Sequence, residues 1–195
     1  MRTRRSSGVF LMLAVASAID RFNCAIGRAI SWAMPAMVVI QVAVVLMRYV
    51  FGIGSIWMQE SIVYLHAATF LLAGAYTLAV DAHVRVDIFY REARPRVRAA
   101  VDTFGTLFFL LPMCAVILWV STPYVARSWS ILEGSRETSG IQGIYLLKTL
   151  ILVFAGLMAL QGVGIIIKGV SALAGQPAAL RRFTREAGAD GERTA

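Results

Sequence analysis

The chain has 195 residues, of which 58% are hydrophobic and only 15% are charged, and its formal net charge is +8. Soluble domains carry roughly 25% charged residues, so this composition excludes a soluble globular domain, and it also excludes a disordered chain. The basic residues lie between long apolar blocks, a pattern that is typical of membrane proteins and argues against nucleic acid as a partner.

Four uncharged stretches are long enough to cross a bilayer as helices. Each has between 19 and 24 residues, and a helix of about 20 residues crosses the ~30 Å hydrocarbon core. In lipid the backbone polar groups must be bonded within the segment, and the alternation of a β-barrel strand is absent. We therefore predict an all-α integral membrane protein with four transmembrane helices plus interfacial amphipathic helices. The uncharged stretches are Ala29–Met47, Ser61–Val80, Thr103–Ala126 and Thr149–Ile167.

These helices divide the chain into three predicted parts. Residues 1–28 are a cytoplasmic and interfacial N-terminal segment, residues 29–170 a four-helix membrane domain, and residues 171–195 a cytoplasmic tail. Within the membrane domain we predict spans at about 29–50, 58–80, 103–126 and 146–168.

The first apolar block, Gly8–Ile19, is too short to span a bilayer and imitates a cleavable signal peptide, because arginines precede it and small residues end it. The distribution of charge argues against cleavage. With a cytoplasmic N-terminus, 15 of the 19 basic residues lie inside, as the positive-inside rule requires. We therefore predict that the block belongs to an interfacial helix and that both termini are cytoplasmic. The basic residues left outside are Arg48, Arg127, Arg136 and Lys148.

A short outer link joins the first two spans. Gly52 and Gly54 permit a tight reversal, which makes the two helices an antiparallel hairpin. Arg48 ends one helix and Glu60 begins the other. Two interpretations are open: the two charges pair across the hairpin mouth or meet a partner protein, or they reach the interface independently.

The stretch after the second span mixes charges with Val, Ile and aromatic residues, as expected for a segment along the inner headgroup layer. His83 and Asp87 are four residues apart, a spacing that could bind a metal, but no third ligand is near them in the sequence. We predict a structural or partner-contacting role for His83, Arg85 and Asp87.

The spans contain one histidine, His66. It is either a neutral side chain hydrogen-bonded to a neighbouring helix or part of a proton relay. His66 and His83 are about 25 Å apart along a helix, so they cannot ligate one haem together, although a haem sharing a ligand with a partner subunit stays open. Pro112 is predicted to kink the third span. The small residues of the fourth, such as Gly162 and Gly164, suit close packing against a partner.

The motifs of several enzyme classes are absent from the sequence. It has no Walker-type phosphate loop, no His-Glu-x-x-His pair and no glycine-rich dinucleotide motif. The spans also hold too few polar groups to form a solute pathway alone. We predict that the chain is not an enzyme, that it binds no cofactor or metal, and that it does not transport a substrate by itself.

One part of the chain resembles a known family. Arg48-Tyr49-Val50-Phe51-Gly52, then Trp57 and Glu60, then Gly74, and finally Ala82-His83-Val84-Arg85-Val86-Asp87 resemble the small membrane subunit of the tripartite ATP-independent periplasmic (TRAP) transporters, the DctQ type. The resemblance covers about 48–91, and Gln59 departs from it, since the family often has an acid there.

The resemblance implies a non-catalytic role in the bacterial inner membrane. Its implied partners are the lipid bilayer, a large TRAP membrane subunit and a periplasmic solute-binding protein that captures an organic acid, with uptake coupled to Na⁺ or H⁺. Under this hypothesis Arg48, Trp57 and Glu60 shape the outer mouth, while His83, Arg85 and Asp87 fix the inner segment. The alternatives are a membrane anchor of a redox complex and a small enzyme or channel acting alone.

Overall fold

The computed structural model describes residues 3–83, 93–176 and 179–180, with side chains described from residue 11 onward. Regular structure in these residues is entirely helical, and four helices are long and apolar enough to cross a membrane, which confirms the predicted fold class. The first of these four, Leu11–Val50, combines two consecutive helices, and the third, Pro95–Ser130, combines two more. The helices are α1 (Thr3–Ser31), α2 (Ala33–Val50), α3 (Ile56–Ala79), α4 (Pro95–Gly105), α5 (Leu111–Ser130) and α6 (Ile144–Leu173).

The bundle has two ends, which we name after the segments that form them. The loop end comprises the α2–α3 turn, residues 51–55, and the α5–α6 loop, residues 131–143. The terminal end is where Leu13 of α1 packs against the buried alanines Ala99 of α4 and Ala172 of α6.

Helices α2, α3, α5 and α6 all end in the same way. One residue adopts the left-handed conformation, and the next backbone N–H returns to a carbonyl five residues earlier, or six at the end of α2, which satisfies one of the last carbonyls of the helix. Glycine does this without strain at Gly52 (φ 68°), as the sequence predicts. The four left-handed residues are Gly52, Asp81, Leu132 and Gly175, and their closing bonds are Ile53 to Met47 (2.9 Å), Ala82 to Thr77 (2.8 Å), Glu133 to Ser128 (3.0 Å) and Gln176 to Ser171 (3.2 Å).

The distortion expected at Pro112 takes the form of a wider turn. Residues Thr106–Leu110 form a π-helical turn between α4 and α5, with the Leu111 N–H bonded to the Thr106 carbonyl. Proline lacks an N–H and its ring crowds the preceding turn, so an expanded turn just before it relieves the clash. The π turn packs on Gly162, where an added Cβ would lie 3.1 Å from the side chains of Thr106 and Leu110.

Helix α1 runs antiparallel to α6 rather than across it. Leu13 packs beside Ala172, and Ile26 packs on the cluster that contains Met158. Thirteen residues of α1 therefore advance alongside fourteen residues of α6. The helix also continues without a break through residue 28, where we predicted the start of the membrane domain.

Small residues bring the helices together inside this chain. A Cβ on Gly169 would lie 1.9 Å from the hydroxyl of Thr103, and one on Gly27 would lie 2.2 Å from the ring of Tyr76. Large apolar side chains point outward instead, such as Trp119, which is 84% exposed. This arrangement fits helix packing in lipid, where close contact rather than removal of apolar surface from water drives association.

Candidate functional site

Glu60 holds the α5–α6 loop against α3. Ser55 caps the start of α3 by accepting the N–H of Met58 (3.4 Å), which places Glu60 in the second turn. One oxygen of the Glu60 carboxylate accepts the hydroxyl of Ser135, and the other accepts the backbone N–H of Ile141 at 2.6 Å. These charge-assisted bonds fix both sides of the loop tip.

Glycine is required where the loop meets this carboxylate. A Cβ on Gly140 would lie 2.7 Å from the Glu60 carboxylate oxygen and 2.3 Å from the hydroxyl of Ser135. A side chain there would therefore force the loop away from α3.

Arg48 is not the partner of Glu60. Both residues lie in the described part of the chain, and no ion pair joins them; Arg48 is exposed at the end of α2. Pairing across the hairpin mouth, one of the interpretations left open, is therefore wrong, because the loop donors occupy the carboxylate. Trp57 is 58% exposed near the start of α3, and a joint role of Arg48, Trp57 and Glu60 at the outer mouth stays a prediction.

A second carboxylate, Glu133, ties the same loop to α5 and α6. It accepts the hydroxyl of Ser128 at 2.6 Å and the ammonium of Lys148 at 2.5 Å. The hydrogen bond from Lys148, and after it the one from Ser128, holds the pKa of the Glu133 carboxyl below its ordinary value. Lys148 also lies 4.1 Å from the centre of the Tyr124 ring, a cation–π contact.

Aromatic residues close this end of the α5–α6 pair. The indole N–H of Trp129 donates to the hydroxyl of Thr149 at 2.8 Å, and its ring meets that of Tyr145 edge-on with centroids 4.7 Å apart. The contacts of Glu60, Glu133 and Trp129 together form what we call the loop clasp. They leave the tip, residues 136–139, exposed on a fixed base.

A buried polar group at the terminal end was not predicted from the sequence. Gln161 is 0% exposed; it accepts the Asn23 amide at 2.7 Å and donates to Asp20 at 2.9 Å. Asp20 also receives the ammonium of Lys168. We call these four residues the terminal clasp, and they join α1 to α6. One sequence feature could have indicated this group: Asp20 and Asn23 are three residues apart and therefore lie on one face of α1.

The predicted inner segment lies mostly outside the described residues. His83 is described and exposed, whereas Arg85 and Asp87 fall in the undescribed stretch 84–92. Within the described residues, no group of three His, Cys, Asp or Glu side chains could hold a metal ion.

His66 makes no hydrogen bond to a neighbouring helix within the described residues, so the structure supplies no support for that interpretation of the two left open. Its side chain is exposed on α3, and its ring stacks on that of Phe70 with centroids 6.5 Å apart. The described part of the chain supplies no hydrogen-bond partner for either ring nitrogen.

A groove of about 520 Å³ lies between the end of α3, the π turn and α6. Its lining is mainly apolar, including Phe109 and Met113, and its charged members are Asp102 and Lys168. Since Lys168 already binds Asp20, the groove shares a residue with the terminal clasp.

Comparison with known proteins identifies the family. No curated protein and no solved structure matches the chain. The sequence model described as "Tripartite ATP-independent periplasmic transporters, DctQ component" matches residues 37–172, which is 136 of the 195 residues. The match includes every residue of the loop clasp. The chain belongs to the DctQ family of TRAP transporter components.

Proposed function

We propose that this chain is the small, non-catalytic membrane subunit of a TRAP-type secondary transporter. It holds the large transport subunit in the membrane and contributes to the face on which the periplasmic solute-binding protein docks. The transported solute is an organic acid, and its uptake is coupled to an ion. Family membership supports this role, since the family is one component of a tripartite system.

In this proposal the subunit lies in the bacterial inner membrane with its loop end toward the periplasm. Charge supports the orientation: the segments at the loop end contain four of the 19 basic residues, Arg48, Arg127, Arg136 and Lys148. Lys148 is neutralised by Glu133. Other basic residues that the structure describes, such as Arg21, Arg94 and Lys168, lie toward the terminal end, which the positive-inside rule assigns to the cytoplasm.

The loop clasp is the observation that carries the docking part of the proposal. Two carboxylates from different elements, Glu60 and Glu133, are both used to hold one loop in place. A loop fixed before binding loses little conformational entropy when a partner arrives, so a fixed tip suits recognition. The exposed tip carries Arg136 and Glu137, which can meet charges on a receptor.

The test is uptake by the assembled transporter, with the chain co-produced with its large subunit and receptor. Glu60→Ala removes both acceptor oxygens, so we expect the loop to detach and receptor-dependent uptake to fall several-fold while the two membrane subunits still co-purify. Gln59→Ala is the matched control, because Gln59 is the neighbouring exposed residue and makes no side-chain hydrogen bond among the described residues. Wild-type uptake by the Glu60→Ala variant would contradict the docking role.

A further inference from the structure

Two polar side chains lie at the same depth in the α2–α3 hairpin. Gln41 is nine residues before the end of α2 at Val50, and His66 is ten residues after the start of α3 at Ile56. At about 1.5 Å per residue, both are roughly 14–15 Å from the loop end. Since the hydrocarbon core is about 30 Å thick, both lie near its middle.

Neither side chain is covered or hydrogen-bonded by the part of the chain that the structure describes. Gln41 and His66 are both exposed, and the described residues offer neither of them a hydrogen bond. Three threonines of the spans behave differently. Thr69, Thr77 and Thr122 each donate to a carbonyl of their own helix at 2.6–2.8 Å.

Lipid cannot satisfy these two groups. An amide or imidazole without a hydrogen bond is costly in hydrocarbon, and polar residues within membrane helices therefore face other protein groups or water. The described residues do not provide those groups at Gln41 and His66, so we infer that a second protein covers them.

The surroundings of His66 fit a helix-packing surface. The exposed residues of α3 beyond its first turn are spaced by three and four, which places them on one face of the helix. Val63 (56% exposed) and Phe70 (74% exposed) flank His66 on this face. Apolar side chains around a central polar one are suited to packing against another transmembrane helix.

We propose that this face of the hairpin, marked by Gln41 and His66, binds a transmembrane helix of the large subunit that carries hydrogen-bonding groups at the same depth. The assignment rests on the proposed function. The periplasmic receptor cannot reach the middle of the membrane, and a lipid tail has no polar group there, which leaves a membrane-embedded partner. Membership of a multi-subunit transporter family favours the large subunit over a second copy of this chain.

Leucine substitutions test the assignment, because they separate contact with lipid from contact with a partner. Gln41→Leu and His66→Leu suit a lipid-facing surface but lose the hydrogen bond to a partner helix. We expect each to weaken association with the large subunit by about 3- to 20-fold, from the range measured for hydrogen bonds between membrane helices. His66→Gln, which retains a donor and an acceptor, should restore most of the association. Val120→Leu on α5 is the control, since Val120 is 65% exposed and its side chain has no hydrogen-bonding atom.

The readout is the fraction of large subunit retained on the tagged chain as detergent concentration rises, together with photocrosslinking from p-benzoylphenylalanine in place of Val63. A crosslink to the large subunit supports the assignment. A crosslinked dimer of this chain, a crosslink to lipid alone, or unchanged association of both leucine variants overturns it. If the unsubstituted chain fails to retain the large subunit, the proposed function itself fails, so the two failures are distinguishable.

Discussion

Replacing Gln161 in the terminal clasp tests how strongly α1 is held to α6. Gln161→Met has a similar length but lacks both hydrogen-bonding atoms, so it removes the 2.7 Å bond from Asn23 and the 2.9 Å bond to Asp20. Asn23 is 1% exposed and its Oδ1 already has no partner, so the substitution leaves the whole amide buried and unbonded. Asp20 keeps its bond from Lys168.

The magnitude follows from these two losses. A buried polar group left unbonded costs about 1–3 kcal/mol, and a lost bond to a group that keeps another partner costs about 0.5–1.5 kcal/mol. Gln161→Met should therefore lower the free energy of unfolding by about 2–4 kcal/mol. Adding Asn23→Leu removes the orphaned amide, so the double variant should be more stable than Gln161→Met alone.

The assay is unfolding of the purified chain in mixed micelles as the fraction of denaturing detergent increases, followed by helical circular dichroism. Hydrogen exchange along α1 gives a second readout, since a weakened clasp should raise exchange in 16–27 and leave 144–155 unchanged. A double variant whose destabilisation equals or exceeds the sum of the two single variants would refute the reasoning, because the cost would not then come from an orphaned polar group.

Three further perturbations have defined signs. Leu132 adopts a left-handed backbone conformation (φ 45°) and is 64% exposed. Leu132→Gly should therefore stabilise the chain by up to ~1 kcal/mol and raise Tm by a few degrees, whereas Leu132→Ala should not. Equal Tm values for the two variants would contradict this expectation. Because the folded pKa of Glu133 is lowered, its bonds stabilise the chain at neutral pH, and this contribution declines as pH falls below the ordinary value of about 4.3 and is lost below the folded pKa. Tm measured from pH 7 to 3 should therefore decline less in Glu133→Gln than in the wild type, and parallel curves would refute the assignment. Gly169→Ala places a Cβ 1.9 Å from the hydroxyl of Thr103, so it should lower the free energy of unfolding in detergent by about 1–3 kcal/mol. Gly156→Ala is the control, because its Cβ meets nothing within 4 Å and should leave that free energy unchanged. Equal effects of the two substitutions would contradict the close packing at Gly169.

Local chemistry made much of the fold predictable from the sequence. Span number follows from the length of uncharged stretches, and the reversal at Gly52 follows from its tolerance of positive φ. Pro95 begins α4 as a first-turn proline should, and Pro112 distorts the helix that contains it. Each of these features depends on residues close together in the chain.

The clasps could not be predicted in the same way, because their partners are far apart in sequence. Glu60 bonds Ser135 and Ile141, which are 75 and 81 residues away, and Asn23 bonds Gln161 across 138 residues. Arg48 was the nearer charge and the obvious candidate for Glu60, but the backbone N–H of an irregular loop has no signature in the sequence. The spacing of Gly162 and Gly164 predicted close packing correctly but did not reveal that α1 and the π turn of this chain are what they contact.

The polar groups of the bundle fall into two sets, those bonded within the clasps and those left exposed in the α2–α3 hairpin. The loop clasp joins α3, α5, α6 and the α5–α6 loop, and the terminal clasp joins α1 to α6. Helix α2 packs mainly on α3 and contributes nothing to either clasp. Gln41 of α2 and His66 of α3 are an amide and an imidazole near mid-membrane that the described bundle leaves exposed and without a hydrogen bond. A partner helix that hydrogen-bonds these two side chains would satisfy groups that the described residues leave unbonded, and for this reason we place the proposed contact on the hairpin face.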